Sequence, residues 1–195
     1  MDPNLTPELV LHAYRSGVFP MADEEGEIYW FSPDPRCILP LETFHVARSL
    51  RQVLRRGVFE VRVDTAFDEV MAACADRAEG TWISNEIIAV YQQLHRQGHA
   101  HSVESWQEGR LVGGLYGVAL GGAFFGESMF ARVSNASKVA LAHLVERLKH
   151  RGFVLLDAQW STPHLRTFGA VEIPRREYLR RLRAALTLSC EFGAG

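Results

Sequence analysis

The chain has 195 residues, 47% of them hydrophobic and 23% charged, which suits one folded domain, or one domain with a small appendage, around a sizeable core. Its net charge of −2 excludes nucleic-acid binding through overall charge, so any such contact needs a local basic patch. Cys37, Cys74 and Cys190 form no CxxC pair, the first residues lack a secretory pattern, and no apolar run approaches a membrane span. A cytoplasmic globular protein is expected.

The first predicted element is a helix capped by Thr6, with Pro7 in its first turn, Glu8 at its positive end and Gly17 as its stop. The stretch VFPMADEEGEIYWFSPDPR, rich in Pro, Gly and acids, reads as irregular or short-stranded. It connects a small N-terminal piece, residues 1–40, to a main body, residues 41–195. Residues 44–56 read as a helix ending at Gly57, with Val46, Leu50, Val53 and Leu54 as its apolar stripe. VFEVRVD, residues 58–64, alternates with period two as a half-buried strand does. Thr65 and Asp68 stand in capping-box spacing and open a helix. Ser84 caps another that runs to Gly98.

AHSVESWQ, RLVGGLYGVALGG and AFFGESMF read as strands of an antiparallel meander, with a turn at Glu108 and Gly109. Ser137 opens a further helix stopped by Gly152, FVLLDAQW is a buried strand, and the remainder is mostly helical with a turn around Gly169. This order gives an α+β, or mixed α/β, fold with a central, mostly antiparallel sheet.

Candidate site residues stand out against this frame. Glu127 sits between Phe124-Phe125-Gly126 and Ser128-Met129-Phe130, where desolvation raises a carboxyl pKa and suits it to handle protons near neutrality. The alternative is a structural carboxylate at a helix N-terminus or paired with Arg132. Asp157 and Gln159 share one face at the carboxyl end of a buried strand, a position where open sheets bind ligands, or else they cap the following loop. Phe124, Phe125, Met129 and Phe130, with Leu141, Leu144 and Leu148 on one face of the next helix, could line an apolar pocket or simply fill the core. Arg48, Arg51, Arg55 and Arg56 cluster on one predicted helix and suit phosphate contacts or a solvated face. His95, His99 and His101 straddle a helix stop and complete no metal-binding spacing, so no metal is expected. GxSxG and GxxxxGK[ST] are absent, and no cysteine lies beside a plausible base.

EGTWI, GHAHSVE, LVGGLYGVALGGAFFGESMF, NASKVAL and GAVEIPRREYL, in this order, resemble the bacterial leucyl/phenylalanyl-tRNA–protein transferase family over nearly the whole chain. The resemblance implies a GNAT-like acyltransferase domain beside a small N-terminal domain. It also implies transfer of Leu or Phe, sometimes Met, from aminoacyl-tRNA to proteins that begin with Arg or Lys, marking them for N-degron degradation. An aminoacyl ester is already activated, so its aminolysis needs no enzyme nucleophile, no metal and no organic cofactor.

By resemblance, Asp157 and Gln159 act as a pair on the α-amine, Gln159 nearest the nitrogen and Asp157 polarising it, while Glu127 positions the amine or the adenosine end. Leu115, Phe124, Met129, Leu141, Leu144 and Leu148 would hold the Leu or Phe side chain. Trp30 and Trp82 would stack near the 3′ adenosine, and Arg48, Arg51, Arg55 and Arg56 would touch the tRNA backbone. The chain departs from the family pattern in GVFPM for GIFPW, YWFSP for WWSP and DAQ for DCQ, the last placing Ala158 where a cysteine is usual. Competing readings are a sister transferase for acceptors beginning with Asp or Glu, an acetyl-CoA-dependent acetyltransferase, and a tRNA-binding module. ARVSNASK lacks the pyrophosphate loop that the acetyltransferase reading needs.

Overall fold

The computed structural model describes residues 5–78 and 80–193. Glu79, the first residue of EGTWI, and the outer ends of the 1–40 and 41–195 segments lie outside the described residues. The first helix, α1 (Pro7–Arg15), starts as its sequence dictates: the Thr6 hydroxyl accepts from the Leu9 N–H at 3.2 Å. The Pro- and acid-rich stretch then forms a hairpin of β1 (Phe19–Ala22) and β2 (Ile28–Phe31). Next comes β3 (Arg36–Ile38), which belongs to the segment 1–40 in sequence but is a strand of the main sheet.

The second helix, α2 (Arg48–Arg56), starts later than residue 44 because tertiary contacts hold the preceding residues extended. The His45 N–H donates to the Phe168 carbonyl at 2.9 Å, and the Phe44 ring stacks on Phe168 at 5.5 Å. After β4 (Glu60–Val63), α3 (Phe67–Ala75) also departs from expectation. Asp68 is exposed and caps nothing. The helix start is capped from another strand, by buried Glu104, which accepts from the N–H of Thr65 at 2.9 Å, the N–H of Ala66 at 3.0 Å and the Thr65 hydroxyl. Ser84 caps α4 (Asn85–Arg96) through the Ile87 N–H at 3.3 Å.

The meander follows as β5 (Ala100–Gln107), β6 (Arg110–Leu120) and β7 (Ala123–Ala131). Then come α5 (Ala136–His150), β8 (Leu155–Gln159) and the single turn α6 (Pro163–Arg166). A strand not expected from sequence, β9 (Val171–Ile173), precedes α7 (Arg175–Leu186); three residues on a sheet edge are too few to show period two.

The seven-stranded sheet has the order β4-β5-β6-β7-β8-β3-β9, antiparallel except for β7 against β8. It is the α+β arrangement expected. Residues of α1, α3, α4 and α7, among them Tyr14, Val70, Ile87 and Tyr178, pack on one face. Leu50 of α2 and Leu141, Leu144 and Leu148 of α5 pack on the other. The parallel pairing of β7 with β8 covers only Ala123–Leu155, Phe124–Leu156 and Phe125–Asp157. Beyond it, β7 continues against β6 while β8 pairs with β3, so the two strands splay apart at their carboxyl ends. That gap positions the site. No helix among the described residues is long and apolar enough to cross a membrane.

Glu104 also accepts from the Ser102 hydroxyl at 2.8 Å and the Trp106 indole at 3.3 Å. Replacing it with Ala strands several buried donors, each costing on the order of 1–3 kcal/mol. Glu104→Ala is therefore expected to lower unfolding free energy in urea by about 2–3 kcal/mol, and a loss below about 0.5 kcal/mol would show that the cap is dispensable.

Candidate active site

Two irregularities flank the splay. On β7, Tyr116 faces Ser128 and Gly117 faces Gly126, so Glu127 is an extra residue with no partner on β6. Such a bulge re-aims a side chain out of the regular pleat. Position 117 has to be glycine, because a Cβ there would lie 2.2 Å from the Phe125 carbonyl oxygen. On β8, Cys37 faces Gln159 and Ile38 faces Asp157, leaving Ala158 as the extra residue.

Gln159 then adopts a left-handed backbone, φ +56°, which costs a non-glycine residue about 1–2 kcal/mol. Two bonds hold it there: its N–H donates to Asp157 Oδ1 at 2.9 Å, and its side-chain Nε2 donates to Glu127 Oε1 at 2.9 Å. The shared face expected of residues 157 and 159 is thereby lost. Each side chain turns to a different partner.

Asp157 is fully buried and turns to Arg36. The guanidinium donates from Nε to Oδ1 at 2.9 Å and from Nη2 to Oδ2 at 2.6 Å, and the Tyr178 hydroxyl adds a bond to Oδ2 at 2.8 Å. Arg36 is itself 1% exposed, lies 4.7 Å from the centroid of the Phe19 ring and 4.6 Å from that of Tyr178, and donates to the Gly17 carbonyl at 3.2 Å. Burial alone would lower the Arg36 pKa, but bonding to Asp157 and its charge carry it above the ordinary value. The Tyr178 phenol is raised by burial and then by the Asp157 charge.

Glu127 is half-buried as a residue, with its Oε2 sealed from solvent and without a hydrogen-bond partner. Desolvation lifts its pKa to about 8, with the Asp157 charge adding to the rise; Tyr14, Arg36 and Gln159 oppose it. Tyr14 and Tyr91 share a hydrogen bond of 2.6 Å, and the Tyr116 hydroxyl is buried without a partner. All three phenols are raised well above their ordinary value, by burial first and by the Glu127 charge second.

A cleft of about 360 Å³ opens at the splay, with Glu127 and Gln159 on its wall. Leu39, Leu115, Met129, Leu141, Leu144 and Leu156 give it an apolar side, and Trp82 lines it as well. Of the residues singled out in the sequence, Phe124 and Leu148 lie in the core on that side of the sheet, Phe125 and Phe130 pack with the core of the other face, and neither these nor Trp30 line the cleft. Arg48, Arg51, Arg55 and Arg56 are exposed on α2.

His95 stacks on Phe67 at 4.2 Å, while His101 bonds Asp64 at 2.7 Å. Among the described residues no group of three or more His, Cys, Asp or Glu side chains could hold a metal ion. Sequence reasoning missed Arg36, Tyr178, Leu39 and Leu156. For Arg36 a signal was available: an arginine directly before the apolar Cys37-Ile38-Leu39 has to be paired if that strand is central.

An apolar recess beside a carboxyl poised near neutrality, at the carboxyl ends of splayed strands, defines an enzyme that binds an apolar group next to proton-transfer chemistry. The comparisons make that class specific. The family model for leucyl/phenylalanyl-tRNA protein transferase matches residues 38–183, and that for the N-terminal domain of the same transferase matches residues 3–34. A transferase of that name from Gloeobacter violaceus is 60% identical over 189 residues, 96% of this chain and 97% of the relative. Another from Herpetosiphon aurantiacus is 58% identical over 193 residues, 98% of this chain and 100% of the relative.

Among solved structures, L-PGS from Bacillus licheniformis superposes with a TM-score of 0.42 at 14% identity over 80% of this chain and 51% of that one. Ribosomal-protein-alanine N-acetyltransferase from Brucella melitensis gives 0.40 at 14% identity over 55% of this chain and 85% of that one. Likenesses this slight add nothing to the fold described above. The chain is a transferase. It belongs to the leucyl/phenylalanyl-tRNA–protein transferase family.

Removing one partner of a buried ion pair leaves an uncompensated charge and costs about 3–5 kcal/mol. Arg36→Met is expected to destabilise the protein by that amount in urea, and Arg36→Met with Asp157→Leu by clearly less. A double variant as unstable as the single would mean that the stranded charge is not the cause.

Proposed function

We propose that this protein moves a leucyl or phenylalanyl group from its tRNA ester to the α-amine of an acceptor protein, by direct aminolysis. The observation that carries the reading is Glu127: a carboxyl with pKa about 8 matches an α-amino group, whose ordinary value is about 8, so the proton moves between them with little free-energy change. The apolar side of the cleft takes the Leu or Phe side chain and leaves the ester carbonyl at the rim. Gln159 donates to Glu127 Oε1 and so orients the carboxyl that takes the proton of the attacking amine at the cleft wall.

The new C–N bond forms as the ester C–O bond breaks, and the proton that Glu127 took from the amine passes to the departing ribose oxygen, which leaves as a hydroxyl. Asp157, enclosed by Arg36 and Tyr178, acts as a positioning residue that fixes the Gln159 backbone. Direct attack also accords with the cysteines: burial pushes the Cys37 thiol up to about 11 and the Cys74 thiol to about 12, far from thiolate nucleophiles. The exposed arginines of α2 suit sequence-independent contact with the tRNA backbone. Acceptors beginning with Arg or Lys, a cytoplasmic setting and a place in N-degron tagging complete the proposal on the strength of family membership.

The test is transfer of labelled Leu and Phe from charged tRNA to peptides beginning with Arg, Lys, Asp or Ala. Label is expected on Arg and Lys peptides alone, with the rate rising with pH toward about 8 as Glu127 ionises. Glu127→Gln is expected to lower the plateau rate by about 100-fold or more, the usual contribution of a positioned base. Label on Asp peptides would reassign the acceptor, and no label on any peptide would refute the activity.

A further inference from the structure

Arg77 lies between α3 and Trp82, lines the cleft and is exposed, yet the reaction above makes no use of it. Its guanidinium is held at both ends. From Nε it donates to the Cys74 carbonyl at 3.1 Å, one of the last-turn carbonyls that α3 itself leaves unpaired. From Nη2 it donates to the Ser128 hydroxyl at 2.8 Å and to the Met129 carbonyl at 3.4 Å, both on β7. An arginine gives up much rotamer freedom to sit in one place, so three bonds that join a helix end to one strand mark a clasp rather than a solvated side chain.

The clasp grips β7 directly after the bulge. On the amino side of Glu127 the strand is flanked on both edges, because Phe125 pairs with Val118 of β6 and with Asp157 of β8. On the carboxyl side β8 has turned away, and Ser128 and Met129 pair only with Tyr116 and Leu115 of β6. A bulge disrupts the ladder locally and leaves its extra residue unpaired. The direction in which Glu127 leaves the strand therefore depends on what holds its neighbours. Strand pairing does so before the bulge, and Arg77 does so after it.

We propose that Arg77 is a positioning residue for the transfer reaction: by clasping Ser128 and Met129 to the end of α3 it keeps the bulge in one shape, so that the Glu127 carboxyl stays turned to Gln159 and shielded from water. Its effect on rate rests on the transferase reading above; its effect on the carboxyl does not. Position and charge act in opposite directions here. A clasp that keeps Glu127 desolvated raises its pKa, whereas a nearby cation lowers it. Removing Arg77 thus lets the carboxyl titrate lower if the clasp dominates and higher if the charge does. The other groups acting on Glu127, namely Tyr14 of α1, Arg36 of β3, Tyr91 of α4, Tyr116 of β6 and Asp157 of β8, are altered in none of the variants below.

The test follows the Glu127 carboxyl resonance against pH in wild type, Arg77→Gln, Ser128→Ala and the double variant, beside kcat and KM for charged tRNA, with circular dichroism to verify folding. Ser128→Ala opens the clasp from the other side and leaves the charge in place. Each single variant is expected to bring the titration down from about 8 toward 4.5. Each is also expected to lower kcat about tenfold while KM for tRNA stays within about twofold. The double variant is expected to lose no more than either single one, because both remove the same contact. A titration that rises in Arg77→Gln and holds in Ser128→Ala would show that Arg77 acts by charge alone. An unchanged titration with a raised KM for tRNA would place Arg77 on a substrate phosphate. Either result overturns the proposal, as would fully additive losses or a wild-type carboxyl already titrating near 4.5. A wild type that shows the expected titrations but transfers nothing would instead sink the transferase reading and leave the clasp standing.

Discussion

The buried ion pair between Arg36 and Asp157 is the constraint on which the site depends. It ties β3 to β8, recruits Tyr178 of α7, and through Asp157 Oδ1 holds the Gln159 backbone in a left-handed conformation. Two charges at 1% and 0% exposure would be a liability alone. Here bidentate geometry, a phenol, a backbone N–H and two flanking rings together offset the desolvation of both ions. The pair is better understood as a means of fixing one unusual backbone position than as a source of net stability.

From that fixed point the rest of the site follows. Gln159 reaches across the splay to Glu127, which a bulge on β7 has pushed out of the pleat. Glu127 lies among Tyr14, Tyr91 and Tyr116, whose phenols remain neutral, so its protonation is set mainly by lost solvation. Across the gap, leucines and Met129 offer a surface with no hydrogen-bonding groups. Such a surface selects by size and shape and separates side chains that differ by one methylene by only about 1–3 kcal/mol, which accords with a family named for both leucyl and phenylalanyl groups.

Much of this was legible in the sequence, for local reasons. Thr6 and Ser84 cap helices as their neighbours require, and a carboxylate inside FFGESMF announces desolvation whatever the fold. What stayed hidden depends on distance along the chain. Arg36 finds Asp157 across 121 positions, and Glu104 caps α3 from 38 and 39 positions away, displacing the Thr65–Asp68 box that local spacing suggested. The bulges at Glu127 and Ala158 leave the apolar pattern intact, so nothing in the letters marks where side chains change direction. Trp30 shows the same limit: strand register, which sequence does not carry, puts it on the face of the hairpin opposite Phe19 and Met21, away from the cleft.

The most direct test is the titration of the Glu127 side-chain carboxyl by carbon-detected NMR on protein labelled at glutamate Cδ, assigned with Glu127→Gln. A resonance that titrates near pH 8 is the result this structure predicts. Titration near 4.5, the ordinary value for a glutamate, would mean that the site hydrates Glu127, and the role of this residue as the base for the incoming amine would fall.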